Sequence, residues 1–140
     1  MTMRHLSEMV RNREPLVLGR HAKVVDACQR MRDRGVGAVL VADGGRRLLG
    51  IFTGRDAVCR VLAEGRHPGA TELAEVMTPE PCTIPPAATA IEALRLMSDG
   101  GFRHLPVVED GRIVGVVSVH DFRGLEQARL DEENVIWERL

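Results

Sequence analysis

Apolar positions at Val24, Ala27, Cys28 and Met31 fall three and four residues apart, and the same spacing returns at Ala90, Ala93, Leu94 and Met97. Each set predicts a helix with one buried face. Gly35 and Gly101 follow these helices, where a residue able to take the left-handed conformation should stop them. Two apolar runs then follow in each place, joined by a tight turn. They predict strands over 38–42 and 48–53 around DGGRR, and over 105–108 and 113–118 around EDGR. Pro106 is expected to open its strand, not to sit in the middle of it. A short extended stretch precedes each helix, over 16–18 and 82–84. A second helix starts at a hydroxyl residue, over 54–64 in one place and from 119 in the other. Thr89 with Glu92 three residues on reads as a capping box.

The two blocks are an internal repeat. Pro15 aligns with Pro81, Val25 with Ile91, Met31 with Met97, Gly35 with Gly101 and Val41 with Val107. One extra residue in the first turn then brings Gly50 opposite Gly115. The fold class expected is α/β (α+β), as two β-α-β-β-α repeats packed with pseudo-two-fold symmetry, because one unit alone leaves a sheet face uncovered. The expected organisation is an N-terminal extension (1–14) with one or two amphipathic turns over 5–12, a first repeat (15–66), a linker (67–80) with a short helix near 71–77, a second repeat (81–127) and a C-terminal helix (128–140). Packing of this kind would create two equivalent clefts, the usual place for small ligands.

Both repeats end in G-h-h-[S/T]-x-x-D, as GIFTGRD and GVVSVHD. As a helix cap, the Ser118 hydroxyl would accept the Asp121 N–H while Asp121 reaches back to the Ser118 N–H, an arrangement worth about 1 kcal/mol. Thr53 and Asp56 could do the same. The alternative is a ligand site. Each turn leaves a strand and opens a helix, where free N–H groups favour an anion, and the preceding glycine allows close backbone approach. A phosphorylated ribose fits such a turn, with hydroxyl and N–H groups toward phosphate. Asp56 and Asp121 would repel phosphate and so belong on the ribose side.

Composition narrows the classes. At 140 residues, 44% hydrophobic and 28% charged, the chain is ordinary for a globular protein. No apolar run reaches the roughly 18 residues of a membrane span. The opening MTMRHLSEMVRNRE lacks a signal-peptide core, which predicts a cytoplasmic protein. Cys28, Cys59 and Cys82 lie far apart with no C-x-x-C, so buried thiols are expected, with no metal site and no disulfide framework. Residues 1–66 hold 13 Lys/Arg against 7 Asp/Glu, and residues 67–140 hold 6 against 13. That split could serve antiparallel pairing of two chains or simply solvate helix faces. Aromatics at 3% with no Tyr argue against nucleic acid, which needs stacking platforms. No P-loop, complete dinucleotide fingerprint or catalytic triad is present, so no catalytic residue is assigned and an enzyme is not expected.

The stretches GVGAVLVADGGRRLLGIFTGRD and GFRHLPVVEDGRIVGVVSVHD, with VMTPEPCTIPP between them, resemble a tandem of CBS (cystathionine-β-synthase) domains, often called a Bateman module. The resemblance covers roughly residues 15–127. It implies regulation without a required cofactor, dimers, and an adenosine-containing ligand: AMP, ADP, ATP, NAD(H) or S-adenosylmethionine. By position it assigns the second cleft to Thr83, Ile84, Arg103, His104, Leu105, Pro106, Val107, Ser118, His120 and Asp121. Ile84 and Val107 would line the adenine slot, with backbone at 83–84 supplying polar contacts and Arg103, His104 and His120 reaching phosphate. The first cleft would use Leu18, Gly37, Ala38, Thr53, Arg55 and Asp56. There Gly37 and Ala38 replace the Arg103–His104 pair, so the second cleft is favoured. The implied partners are the adenosyl ligand, a second copy of the chain and an unidentified protein target, with neither nucleic acid nor membrane. The rival reading is a ligand-free dimerisation or interaction scaffold whose turns only cap helices.

Overall fold

Both amphipathic helices form where the apolar spacing places them and end at their glycines. Helix α2 (Val24–Arg34) buries Val24, Ala27 and Met31, and helix α5 (Ala90–Gly100) buries Ala90, Ile91, Ala93, Leu94 and Met97. Gly35 and Gly101 close them with φ of 65° and 71°, a left-handed conformation that costs a Cβ-bearing residue energy. Thr89 and Glu92 make the expected capping box, with the Thr89 N–H donating to Glu92 Oε2 at 3.0 Å.

In this computed structural model residues 3–122, 124 and 126 are described, and the chain divides into two compact units. The first-repeat unit holds residues 14–81 together with 110–113; the second-repeat unit holds residues 3–13, 82–109 and those described from 114 on. The expected C-terminal helix over 128–140 lies outside the described residues. The whole is a mixed α+β fold. Among the described residues no helix is long and apolar enough to cross a membrane.

The first-repeat unit is built on a four-stranded sheet ordered β1 (Val17–Leu18), β2 (Ala38–Ala42), β3 (Leu48–Thr53), β4 (Thr78–Pro79). β1 runs parallel to β2, and the other neighbours are antiparallel. β2 is buried at every position, as a central strand covered on both faces should be. Its core joins Leu16, Val24, Val39, Val41, Phe52, Val61, Leu73 and Val76. A separate two-stranded sheet pairs β5 (His104–Glu109) with β6 (Arg112–Ser118), of which β5 and residues 114–118 belong to the second-repeat unit. Asp110 and Gly111, at φ of 53° and 79°, make the turn between them.

Pro106 is the third residue of β5, not its opening residue. The strand tolerates it because the parallel bridge to Ile84 starts there. The Ile84 N–H donates to Pro106 O, and the Val108 N–H donates to Ile84 O, so no N–H is asked of the proline.

The helix after the first turn is shorter than expected and changes pitch. α3 (Gly54–Asp56) runs into a π-turn over Ala57–Leu62, in which the Ala63 N–H donates to Val58 O. After the second turn, Val119–Asp121 forms a single 3₁₀ turn and Phe122 is extended. Of the three thiols, Cys28 is half-buried, whereas Cys59 and Cys82 are exposed, contrary to the expectation of buried cysteines.

Two short helices enter the units crosswise. α1 (Leu6–Val10) precedes the first repeat but packs in the second-repeat unit, burying Leu6 and Val10 with Leu94, Met97, Leu105 and Val117. α4 (Leu73–Val76) precedes the second repeat and packs in the first-repeat unit. Matching hydrogen bonds hold them. Leu6 N donates to Ala88 O and Ala90 N to Arg4 O; likewise Leu73 N donates to Ala22 O and Val24 N to Thr71 O. The repeat therefore begins earlier than its strands, at HLSEMV and ELAEVM.

Candidate functional site

Each G-h-h-[S/T]-x-x-D stretch carries its strand into a capped turn. In the first, the Thr53 N–H and hydroxyl donate to Asp56 Oδ2 at 3.0 and 3.2 Å, and Thr53 Oγ1 accepts the Asp56 N–H at 3.3 Å. In the second, the Ser118 N–H donates to Asp121 Oδ2 at 2.7 Å within the same capping-box pairing. Equivalent bonds tie the turns to the residue just before the first strand of each antiparallel pair, β2 and β5. The Gly54 N–H donates to Gly37 O, and the Val119 N–H donates to Arg103 O. The first N–H of each turn is thus already taken, which the sequence left open for an anion.

The Val119–Arg103 bond brings the basic FRHLPVV stretch beside the second turn. Arg103 Nη2 lies 3.2 Å from His120 Nε2, both side chains being exposed. His104 is half-buried. Its imidazole is held below the usual histidine range, first by burial and then by Arg103, with His120 adding to the effect and Asp121 opposing it. Arg103, His104, Ser118, His120 and Asp121 therefore share one end of the unit. In the first-repeat unit the corresponding place has exposed Gly37, buried Ala38 and exposed Arg55.

The two aspartates differ in what surrounds them. Asp56 is buried, and its Oδ1 accepts the Thr78 hydroxyl at 3.3 Å and lies 3.5 Å from Arg60 Nε. Asp121 is half-buried, and its Oδ1 accepts from Arg13 Nη1 at 2.7 Å. Arg4 joins it, donating from Nη2 to Asp121 O at 3.1 Å while pairing with Glu126. Arg4 and Arg13 were not singled out in the sequence. The signal that marks them is the likeness of HLSEMVR to ELAEVMT, which places α1 beside the turn.

The residues assigned to an adenine slot sit deeper. Ile84, Leu105 and Val107 are side chains of the second-repeat core, Pro106 is buried, and Thr83 is exposed. Leu18 is half-buried against the first-repeat core. The glycines of the motif are approached closely by the protein itself. A Cβ on Gly115 would lie 2.7 Å from Val10 Cβ, and one on Gly50 would lie 2.8 Å from Thr78 O. Among the described residues no group of three or more His, Cys, Asp or Glu could hold a metal ion.

A family model for the CBS domain matches residues 6–62 and again 73–126. The chain belongs to the CBS-domain family. The two matches begin at the two crosswise helices, so the domain as the family defines it includes α1 and α4. Over 104 residues, 74% of this chain, it is 43% identical to a CBS domain-containing protein of Arabidopsis thaliana. It spans about a fifth of that relative's length (19%). Among solved structures, a CBS domain protein from Pyrobaculum aerophilum complexed with AMP has the same fold. It has a TM-score of 0.81 at 22% identity, covering 92% of this chain and 99% of the other. A CBS domain pair in complex with 5′-methylthioadenosine and S-adenosyl-L-methionine matches with a TM-score of 0.77 at 20% identity, covering 95% and 99%.

Proposed function

We propose that this CBS-domain pair is a regulatory module that binds an adenosine-containing ligand at the Ser118–Asp121 turn. The ligand class is AMP, ADP or ATP, with NAD(H) and S-adenosylmethionine as its other members. Occupancy would be passed to a homodimer or a target protein, with no catalysis and no further cofactor. One observation carries the reading: Arg103, His104 and His120 gather beside the turn, and a helix cap has no use for them. Asp121 Oδ1 would accept a ribose hydroxyl, while Arg103 and the imidazoles would meet phosphate. Family members of the same fold hold AMP in one case and S-adenosyl-L-methionine in another. Thr83, Ile84, Leu105, Pro106 and Val107 would contribute chiefly through backbone.

The first turn supports the scaffold reading better. Asp56 is buried with both oxygens engaged, and Gly37 and Ala38 bring no charge. Leu18, Thr53, Arg55 and Asp56 would then hold a neutral adenosine moiety or none. Equilibrium binding of AMP, ATP, NADH and S-adenosylmethionine tests the proposal. Saturable binding by at least one is expected, and no binding at millimolar concentration sinks it.

A further inference from the structure

In both units a guanidinium joins the aspartate of the turn to the carbonyl end of the crosswise helix. Arg13 donates from Nε and Nη2 to Met9 O at 3.0 and 2.7 Å, and from Nη1 to Asp121 Oδ1 at 2.7 Å. Arg60 donates from Nη1 to Met77 O at 3.0 Å, with Nε 3.5 Å from Asp56 Oδ1. The arginines are not equivalent in the repeat. Arg13 follows α1, whereas Arg60 lies in the π-turn after Asp56, and Pro79 stands opposite Arg13. The same bridge is thus made twice from different positions.

Only the second bridge is placed to open. Asp121 Oδ2 is held by the Ser118 N–H, so Oδ1 is the oxygen available to a new donor, and Arg13 occupies it. The Arg13 side chain is 46% exposed against 22% for Asp121, so water can replace either partner. An exposed pair of this kind exchanges at little cost. Helix α1 is only five residues long, and the guanidinium caps its carbonyl end. So short a helix depends on its cap and its packing.

We propose that Arg13 is a latch: a ligand that takes Asp121 Oδ1 displaces the guanidinium and frees the carbonyl end of α1. Occupancy of the site is thereby read out as loosening of residues 6–13. This rests on the ligand site proposed above. The bridge at Asp56, buried and shared with Thr78, stays closed.

Hydrogen exchange of the full chain with AMP as probe tests it. Saturating AMP is expected to raise amide exchange in residues 6–13. Arg13→Ala raises it without AMP, and AMP then adds nothing. Arg13→Ala also binds AMP about two- to fivefold more tightly, the span expected for removing an exposed competing pair. Weaker AMP binding by Arg13→Ala overturns the latch, since Arg13 would then be a ligand contact. Unchanged or greater protection of residues 6–13 on AMP binding also overturns it. Asp121→Asn separates the two failures without nucleotide. It should raise exchange in residues 6–13 as Arg13→Ala does, and unchanged exchange overturns the latch alone. If AMP binds neither wild type nor variant, while the other adenosyl ligands also fail, the functional reading falls and the release step falls with it.

Discussion

Val10 lies over Gly115 so closely that a Cβ on the glycine would come within 2.7 Å of Val10 Cβ and 2.8 Å of Val10 Cγ1. A glycine that opens the repeated motif is thus a packing requirement. Gly115→Ala is expected to destabilise the second-repeat unit by about 1–3 kcal/mol, as overpacking does. Chemical denaturation of the variant measures this, and Val10→Ala in the same chain should recover part of the loss. Additive losses in the double variant would show that the two residues do not meet.

That contact also explains which parts of the molecule were legible in the sequence. Helices α2 and α5 and strands β2 and β3 were readable because periodicity, cap and turn chemistry agree locally. The family was readable because GIFTGRD and GVVSVHD recur at matching positions. The crosswise helices were legible as short helical stretches over 5–12 and near 71–77, but where they pack was not, since helices of five and four residues carry too short a pattern to name a partner and their burial depends on contacts far along the chain. For the same reason Arg13 and Arg4 could not be placed beside Asp121. The unlike roles of Asp56 and Asp121 follow from Thr78, Arg60 and Arg13, none of which lies in the motif's own seven residues.

His104 gives the second-repeat unit a pH dependence with a definite sign. Burial, then Arg103, holds its folded pKa below the unfolded value of 6.5. The unfolded chain therefore binds the proton more readily. The stability this group contributes is complete above about pH 6.5 and is lost as pH falls through the folded value. Melting curves from pH 7.5 to 5 should show a decline that His104→Gln makes shallower. An equal slope in both proteins would place the titration elsewhere.

Asp56 and Asp121 should separate stability from binding. Asp56 is buried and accepts from Thr53 and Thr78 as well as lying beside Arg60. Its replacement by alanine leaves those donors unsatisfied, at a cost of about 1–3 kcal/mol. Asp121 is half-buried, and water can serve Arg13 and the Ser118 N–H in its place. Asp121→Ala is therefore expected to lower the melting temperature less than Asp56→Ala does. The reverse order would mean that the second turn is the structural one.

Ligand linkage supplies the complementary measurement. A ligand present at about 100-fold over its Kd adds about 2.7 kcal/mol to the stability of the state that binds it. For a chain of this size that is a rise of several degrees in Tm. AMP or another adenosyl ligand should produce such a rise in wild type and in Asp56→Ala. In Asp121→Ala the rise should shrink sharply, because the carboxylate that would accept the ribose hydroxyl is gone. The comparison is made within each protein, ligand against no ligand, so the lower starting stability of Asp56→Ala does not confuse it. Loss of the rise in Asp56→Ala with retention in Asp121→Ala would move the site to the first turn, despite the cations gathered at the second.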